Sequence, residues 1–167
     1  MDFYEGVVID YIRADRALFV NPQCLLQLNS SDNPDTTGPH WYCDALAVVF
    51  RSSTIFLCEV SYGKQLQSLK KRLDDWVRHW DELKTALERD SWLPAAWPIR
   101  PWLFVPEQRI PKLEEILKHL QTIHNRDVFP RITTLEMTQP WNYCTWNRIG
   151  ESERSIPLSE PLKTKQQ

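Results

Sequence analysis

DALAVVFRSSTIFLCEVS, residues 44–61, sets two short apolar runs on either side of a polar turn. Val, Ile and Phe crowd both runs, and each run is the length of one strand, so the stretch reads as a β-hairpin. Side chains alternate along a strand. Leu46, Val48, Ile55 and Leu57 therefore share one face, and Ala47, Val49, Phe56 and Val60 the other. A hairpin that is apolar on both sides belongs in a sheet covered by helices on both faces.

Two acids interrupt this apolar frame. A turn centred on Ser52 and Ser53 sets residue 50 opposite 55, 46 opposite 59 and 44 opposite 61. Asp44 and Glu59 then lie diagonally on one face, roughly 7–8 Å apart between backbones, with Ser61 beside them. A register shift of one residue would part the two acids. A carboxylate in an apolar strand carries a desolvation cost, and two converging carboxylates each disfavour ionisation of the other. A divalent cation relieves both effects. Mg²⁺ is commonly held by one or two carboxylates, with water and substrate phosphate completing its shell. Such an ion activates water and neutralises charge developing on a phosphodiester. In the competing reading, Asp44 hydrogen-bonds at a strand end and Glu59 faces solvent from a sheet edge.

The surroundings of the hairpin complete an α/β order. Tyr4, Val7, Val8, Tyr11 and Ile12 recur at helical spacing, predicting a first helix over residues 2–14. ALFVNPQCLLQL follows, with Asn21 and Pro22 favouring an extended path, and SSDNPDTTGPH reads as a loop. After the hairpin, Leu66, Leu69, Leu73, Trp76, Trp80, Leu83 and Leu87 predict one long helix from residue 65 to about 89. The same stripe suits a coiled-coil seam, but neighbouring strands favour packing on a sheet. Trp102–Val105 reads as a short strand ended by Pro106. Pro111 opens a further helix whose apolar face is Leu113, Ile116, Leu117, Leu120 and Ile123. RITTLEMT, residues 131–138, reads as a last strand. One domain, residues 1–149, accounts for these elements, and the polar tail 150–167 is predicted to be disordered.

With the helix, the hairpin and the next helix in place, the chain resembles the PD-(D/E)XK, or restriction-endonuclease-like, nucleases. Their core has a helix, a hairpin with an Asp on one strand and (Asp/Glu)-x-Lys on the next, then a helix and a further strand. The matching positions here are Asp44 and Glu59-Val60-Ser61, and the likeness spans roughly residues 2–105. It implies a mixed central β-sheet flanked by helices on both faces, and a Mg²⁺- or Mn²⁺-dependent nuclease. Asp44 and Glu59 would then hold the metal, with Glu5 of the first helix as a third acid. Two departures stand out: Cys43 precedes Asp44 where the family has Pro, and Ser61 stands in place of the Lys. A hydroxyl supplies no positive charge, so Lys64 is the expected relocated cation, with Lys70 a further candidate and Ser61 a polar support. A domain that keeps the fold without catalysis, and binds another protein, is the alternative.

Lys64, Lys70, Lys71 and Arg72 form a local basic cluster suited to backbone phosphates, with DNA the expected nucleic acid ahead of RNA. Globally the formal charge is -2 and the pI about 6.1, without the basic excess of a dedicated duplex binder. Solvent exposure of the cluster, balanced by Asp74, Asp75, Asp81 and Glu82, is its ordinary explanation. Eight Trp include Trp76 and Trp80 on the helical stripe, where packing is expected over base stacking, and the run PWNYCTW at 140–146. His40, His79, His119 and His124 show no metal-binding spacing. Four cysteines, Cys24, Cys43, Cys58 and Cys144, lack a CxxC pair, so they are expected to be reduced and buried, without structural zinc. No phosphate-binding glycine loop or nucleophile elbow occurs. The acid-bearing N-terminus and the absence of an 18-residue apolar run predict a cytoplasmic protein with no membrane segment.

Overall fold

The computed structural model describes residues 2–15, 17–29, 40–124 and 130–139. The quoted hairpin is its centre: β2 (His40–Val49) and β3 (Thr54–Val60) pair antiparallel. Their register is Leu46 with Leu57 and Val49 with Thr54, two residues away from the one expected. The reason is the turn. Phe50–Ser52 form a single 3₁₀ turn that Ser53 closes at φ 50, so the loop has four residues centred on Arg51 and Ser52. A shift of two preserves the face of every side chain, and the expected division of the hairpin survives. Leu46, Ile55 and Leu57 join one core cluster, and Ala47, Val49 and Phe56 join the other.

Strand β1 (Leu18–Gln27) adds to β2 antiparallel, while β4 (Ile99–Val105) and β5 (Arg131–Thr134) add parallel on the far side of β3. The five-stranded mixed sheet has the order β1-β2-β3-β4-β5. Pro22 sits in the edge strand β1, where a missing N–H is tolerated. The predicted strand 131–138 is half as long as expected, because Leu135–Thr138 turn into a 3₁₀ segment that the Thr138 hydroxyl ties to the Leu135 carbonyl.

Parallel neighbours need crossover connections. Helices α2 (Gln67–Arg78) and α3 (Trp80–Ser91) carry the chain from β3 to β4, and α4 (Ile110–His124) carries it from β4 to β5. All three bury apolar residues in one cluster on one face of the sheet: Leu69, Leu73 and Trp76; Leu83 and Leu87; Leu113, Ile116 and Leu120. Helix α1 (Phe3–Arg13) covers the other face with Val8, Ile9, Tyr11 and Ile12 against Trp102 and Phe104. Helices therefore flank both faces.

The predicted long helix is two helices. His79 leaves helical backbone at φ -110, ψ 29, and its ring bonds Glu82 at 2.6 Å and lies against Trp41. The apolar stripe runs through the break into one core cluster, which excludes a continuous coiled-coil seam. Trp76 is fully buried, as expected for packing. Trp102 is too, its indole N–H donating to the Thr133 hydroxyl at 2.9 Å. The tail 150–167 and the run 140–146 lie outside the described residues. Among the described residues no helix is long and apolar enough to cross a membrane.

Candidate functional site

The ladder between β1 and β2 pairs Pro22 with Ala45 and Cys24 with Cys43, and skips Gln23 and Asp44 between them. Gln23 stands at φ 50, a left-handed conformation that a non-glycine side chain adopts at a cost of about 1 kcal/mol or more. Strand alternation slips at the same point: Cys43 packs on the α2 side of the sheet, whereas Ala45 packs on the α1 side. A local irregularity of this kind re-aims a side chain. Here the re-aimed residue is Asp44.

Asp44 Oδ2 accepts the Val60 backbone N–H at 2.7 Å. Asp44 is thus held by the strand that carries Glu59. The observed register, continued one position, sets 44 directly opposite 59, closer than the diagonal expected from sequence. Glu59 is only 5% exposed and sits in an interior strand, so the solvent-facing alternative does not hold for it. Asp44 does hydrogen-bond as that alternative has it, but from the middle of β2, to Val60 at the end of β3. Burial, followed by the negative charge of Asp44, pushes the Glu59 carboxyl well above its ordinary range, with Arg72 opposing. Burial likewise raises Asp44, and the Val60 N–H only partly offsets it.

The cation that meets this pair comes from α2. Arg72 Nη1 lies 3.0 Å from Glu59 Oε1 and also donates to the Tyr42 carbonyl. Lys64, the expected cation, is exposed in the turn after β3; Lys71 is exposed and Lys70 half-buried. Ser61 donates its backbone N–H to the Phe104 carbonyl at 2.9 Å, continuing the parallel pairing of β3 with β4. Glu5 serves the start of α1: Asp2 Oδ1 accepts the Glu5 N–H at 2.9 Å, and Glu5 Oε2 accepts the Asp2 N–H at 3.0 Å, a reciprocal capping box. Asp2 also accepts the Tyr62 hydroxyl at 2.9 Å. The charge of Glu5 still reaches Asp44 and helps to raise it.

The structure therefore brings Asp44, Glu59 and Arg72 together, with Glu5, Asp2 and Tyr62 at the margin. Among the described residues no three His, Cys, Asp or Glu side chains converge to hold a metal ion. Two carboxylates remain, the number with which Mg²⁺ is commonly held. The partnership of Arg72 with Glu59 was missed in sequence, although a signal existed. Arg72 follows Leu69 by three and precedes Trp76 by four, which places it beside the inward stripe of α2.

No protein-family model matches the chain, no curated protein matches it, and no solved structure matches it.

Proposed function

We propose that the protein is a metal-dependent phosphodiester hydrolase acting on nucleic acid, with a restriction-endonuclease-like core and Asp44 and Glu59 as the ligands of one Mg²⁺ or Mn²⁺. The observation that supports this reading is the tethering of Asp44 to β3 through the Val60 N–H, beside the buried Glu59. It fixes two hard oxygen donors side by side where burial and mutual repulsion favour an added cation. The helix α1, the hairpin β2–β3, a helical crossover and β4 follow one another as the resemblance would have them, with β1 added between α1 and the hairpin and the crossover divided into α2 and α3. Bound there, the metal would supply Lewis-acid stabilisation of a phosphate oxygen and an activated water.

The chain's own residues would do the rest. Arg72 replaces Lys64 in our assignment of the fixed positive charge, because it is already held at Glu59. A guanidinium offers several donors in a rigid fork suited to phosphate oxygens. Lys64, Lys70 and Lys71 would contact the backbone of the nucleic acid, DNA ahead of RNA, at positions independent of sequence. Ser61 would act as a polar neighbour without charge. Glu5 would shape the field at Asp44 from its capping position.

A second reading has a specific observation in its favour. Arg72 already pairs with Glu59, as it would in a domain that has kept the fold, lost metal chemistry and serves as a protein-interaction module. Cleavage of supercoiled plasmid and of a single-stranded oligonucleotide, in Mg²⁺ and in Mn²⁺, separates the two. The hydrolase reading predicts nicking by the wild type and none by Asp44→Ala or Glu59→Gln. Equal cleavage by all three, or none by the wild type, would leave the interaction module.

A further inference from the structure

Cys24 and Cys43 are direct partners in the antiparallel ladder of β1 and β2, and both pack on the core cluster on the α2 side of the sheet. Their side chains therefore leave the sheet on the same side. Directly opposed residues in an antiparallel pair have Cα atoms about 4.5 Å or about 5.5 Å apart, depending on the hydrogen-bonding pattern. Both values fall within the roughly 4.4–6.8 Å that a disulfide spans. Cys58 is separated from this pair by its place in the cluster on the opposite face.

The geometry points to Cys24 and Cys43 as a dithiol modification site that a hydroperoxide converts into a cross-strand disulfide. Both are free thiols. Their exposures differ in the sense that the chemistry needs. Cys24 is half-buried at the edge strand and Cys43 fully buried behind it, so an oxidant from solvent meets Cys24 first.

The Cys24 thiolate attacks the terminal peroxide oxygen, the O–O bond breaks and hydroxide or alkoxide leaves, to be protonated to water or alcohol, giving a sulfenic acid on Cys24. The Cys43 sulfur then attacks the Cys24 sulfur. The S–O bond breaks, the oxygen leaves as water after taking a proton, and the S–S bond forms. In sum, two thiols and one hydroperoxide give one disulfide, one water and the reduced alcohol or water. The bridge would join β1 to β2 one residue ahead of Asp44.

The test treats the reduced full chain with hydrogen peroxide, alkylates remaining thiols under denaturing conditions and maps peptides with and without reduction. A Cys24–Cys43 linked peptide is expected, with an intact mass lower by about 2 Da, the two lost hydrogens. In Cys43→Ser the link should vanish and a sulfenic acid on Cys24 should be trapped by dimedone. The proposal is overturned if Cys24 and Cys43 both remain alkylatable. It is equally overturned if Cys24 proceeds to sulfinic acid beside a free Cys43, or pairs preferentially with Cys58 or Cys144. The wild-type map decides by itself if Cys43→Ser does not fold.

Discussion

Arg72 reaches from α2 to Glu59 in β3, placing Nη1 3.0 Å from Oε1. The carboxyl it meets is almost entirely buried, while the guanidinium keeps about a third of its side chain in water (32% exposed). The asymmetry matters for mutation. Removing one partner of a fully buried ion pair costs about 3–5 kcal/mol, because the other charge is stranded. Here Glu59 can take up a proton instead.

Arg72→Ala is therefore expected to destabilise the fold by about 2 kcal/mol, below the fully buried case. Urea unfolding at neutral pH checks it. Combined with Glu59→Gln, the double mutant should lose less than the sum of the singles, with a coupling of about 1 kcal/mol or more. Strict additivity would mean that the contact contributes nothing to stability.

The elevated Glu59 carboxyl has a definite pH signature. A group that binds its proton more tightly folded than unfolded makes stability fall as pH rises between the two pKa values. For Glu59 that window opens near the ordinary value of 4.5 and extends upward through the raised folded value; Asp44 adds to it from 3.8. Asp2 and Asp74 are shifted downward, so their contribution is lost below the ordinary range and leaves this window alone. Glu59→Gln should therefore gain stability relative to wild type as pH rises above about 4.5. Denaturant midpoints of the two proteins across pH 4 to 8, about the window concerned, report the difference. A difference that stays constant with pH would show that Glu59 titrates normally.

Glu5 separates capping from metal binding. Its carboxylate closes the box at the start of α1, so Glu5→Ala should cost about 0.5–1 kcal/mol, the low end for a lost cap interaction. Glu5→Gln retains an acceptor and should cost less. Neither should change Mn²⁺ affinity more than about threefold, on the order of 0.65 kcal/mol, when followed by calorimetric titration. A loss of tenfold or more in Glu5→Gln would return Glu5 to the set of metal ligands.

Much of this arrangement is legible in the chain itself. Period-two alternation in 44–61 gives the hairpin and its two apolar faces, because one residue type per face is all that burial requires. The length of the turn is not legible there. Whether Phe50–Ser52 wind into a 3₁₀ turn depends on Ser53 entering left-handed backbone, a choice that local composition leaves open. The break at His79 escapes for a related reason: apolar spacing of three and four continues from Trp76 to Leu83, so periodicity passes through it unmarked. Gln23 is harder still, since its left-handed backbone and the skipped pair at Asp44 follow from how β1 meets β2. Arg72 was visible only as part of a basic cluster. Its charge favours solvent, whereas its spacing from Leu69 and Trp76 points inward.

The proposed hydrolase requires that Asp44 and Glu59 share a cation. Crystals soaked in Mn²⁺ and measured for anomalous scattering give the most direct answer. The account predicts one peak bonded to an oxygen of Asp44 and an oxygen of Glu59, at the roughly 2.0–2.2 Å expected of a small hard cation. It also predicts that the peak is absent from Asp44→Asn crystals. No peak at saturating Mn²⁺, with Arg72 still bonded to Glu59, would contradict it.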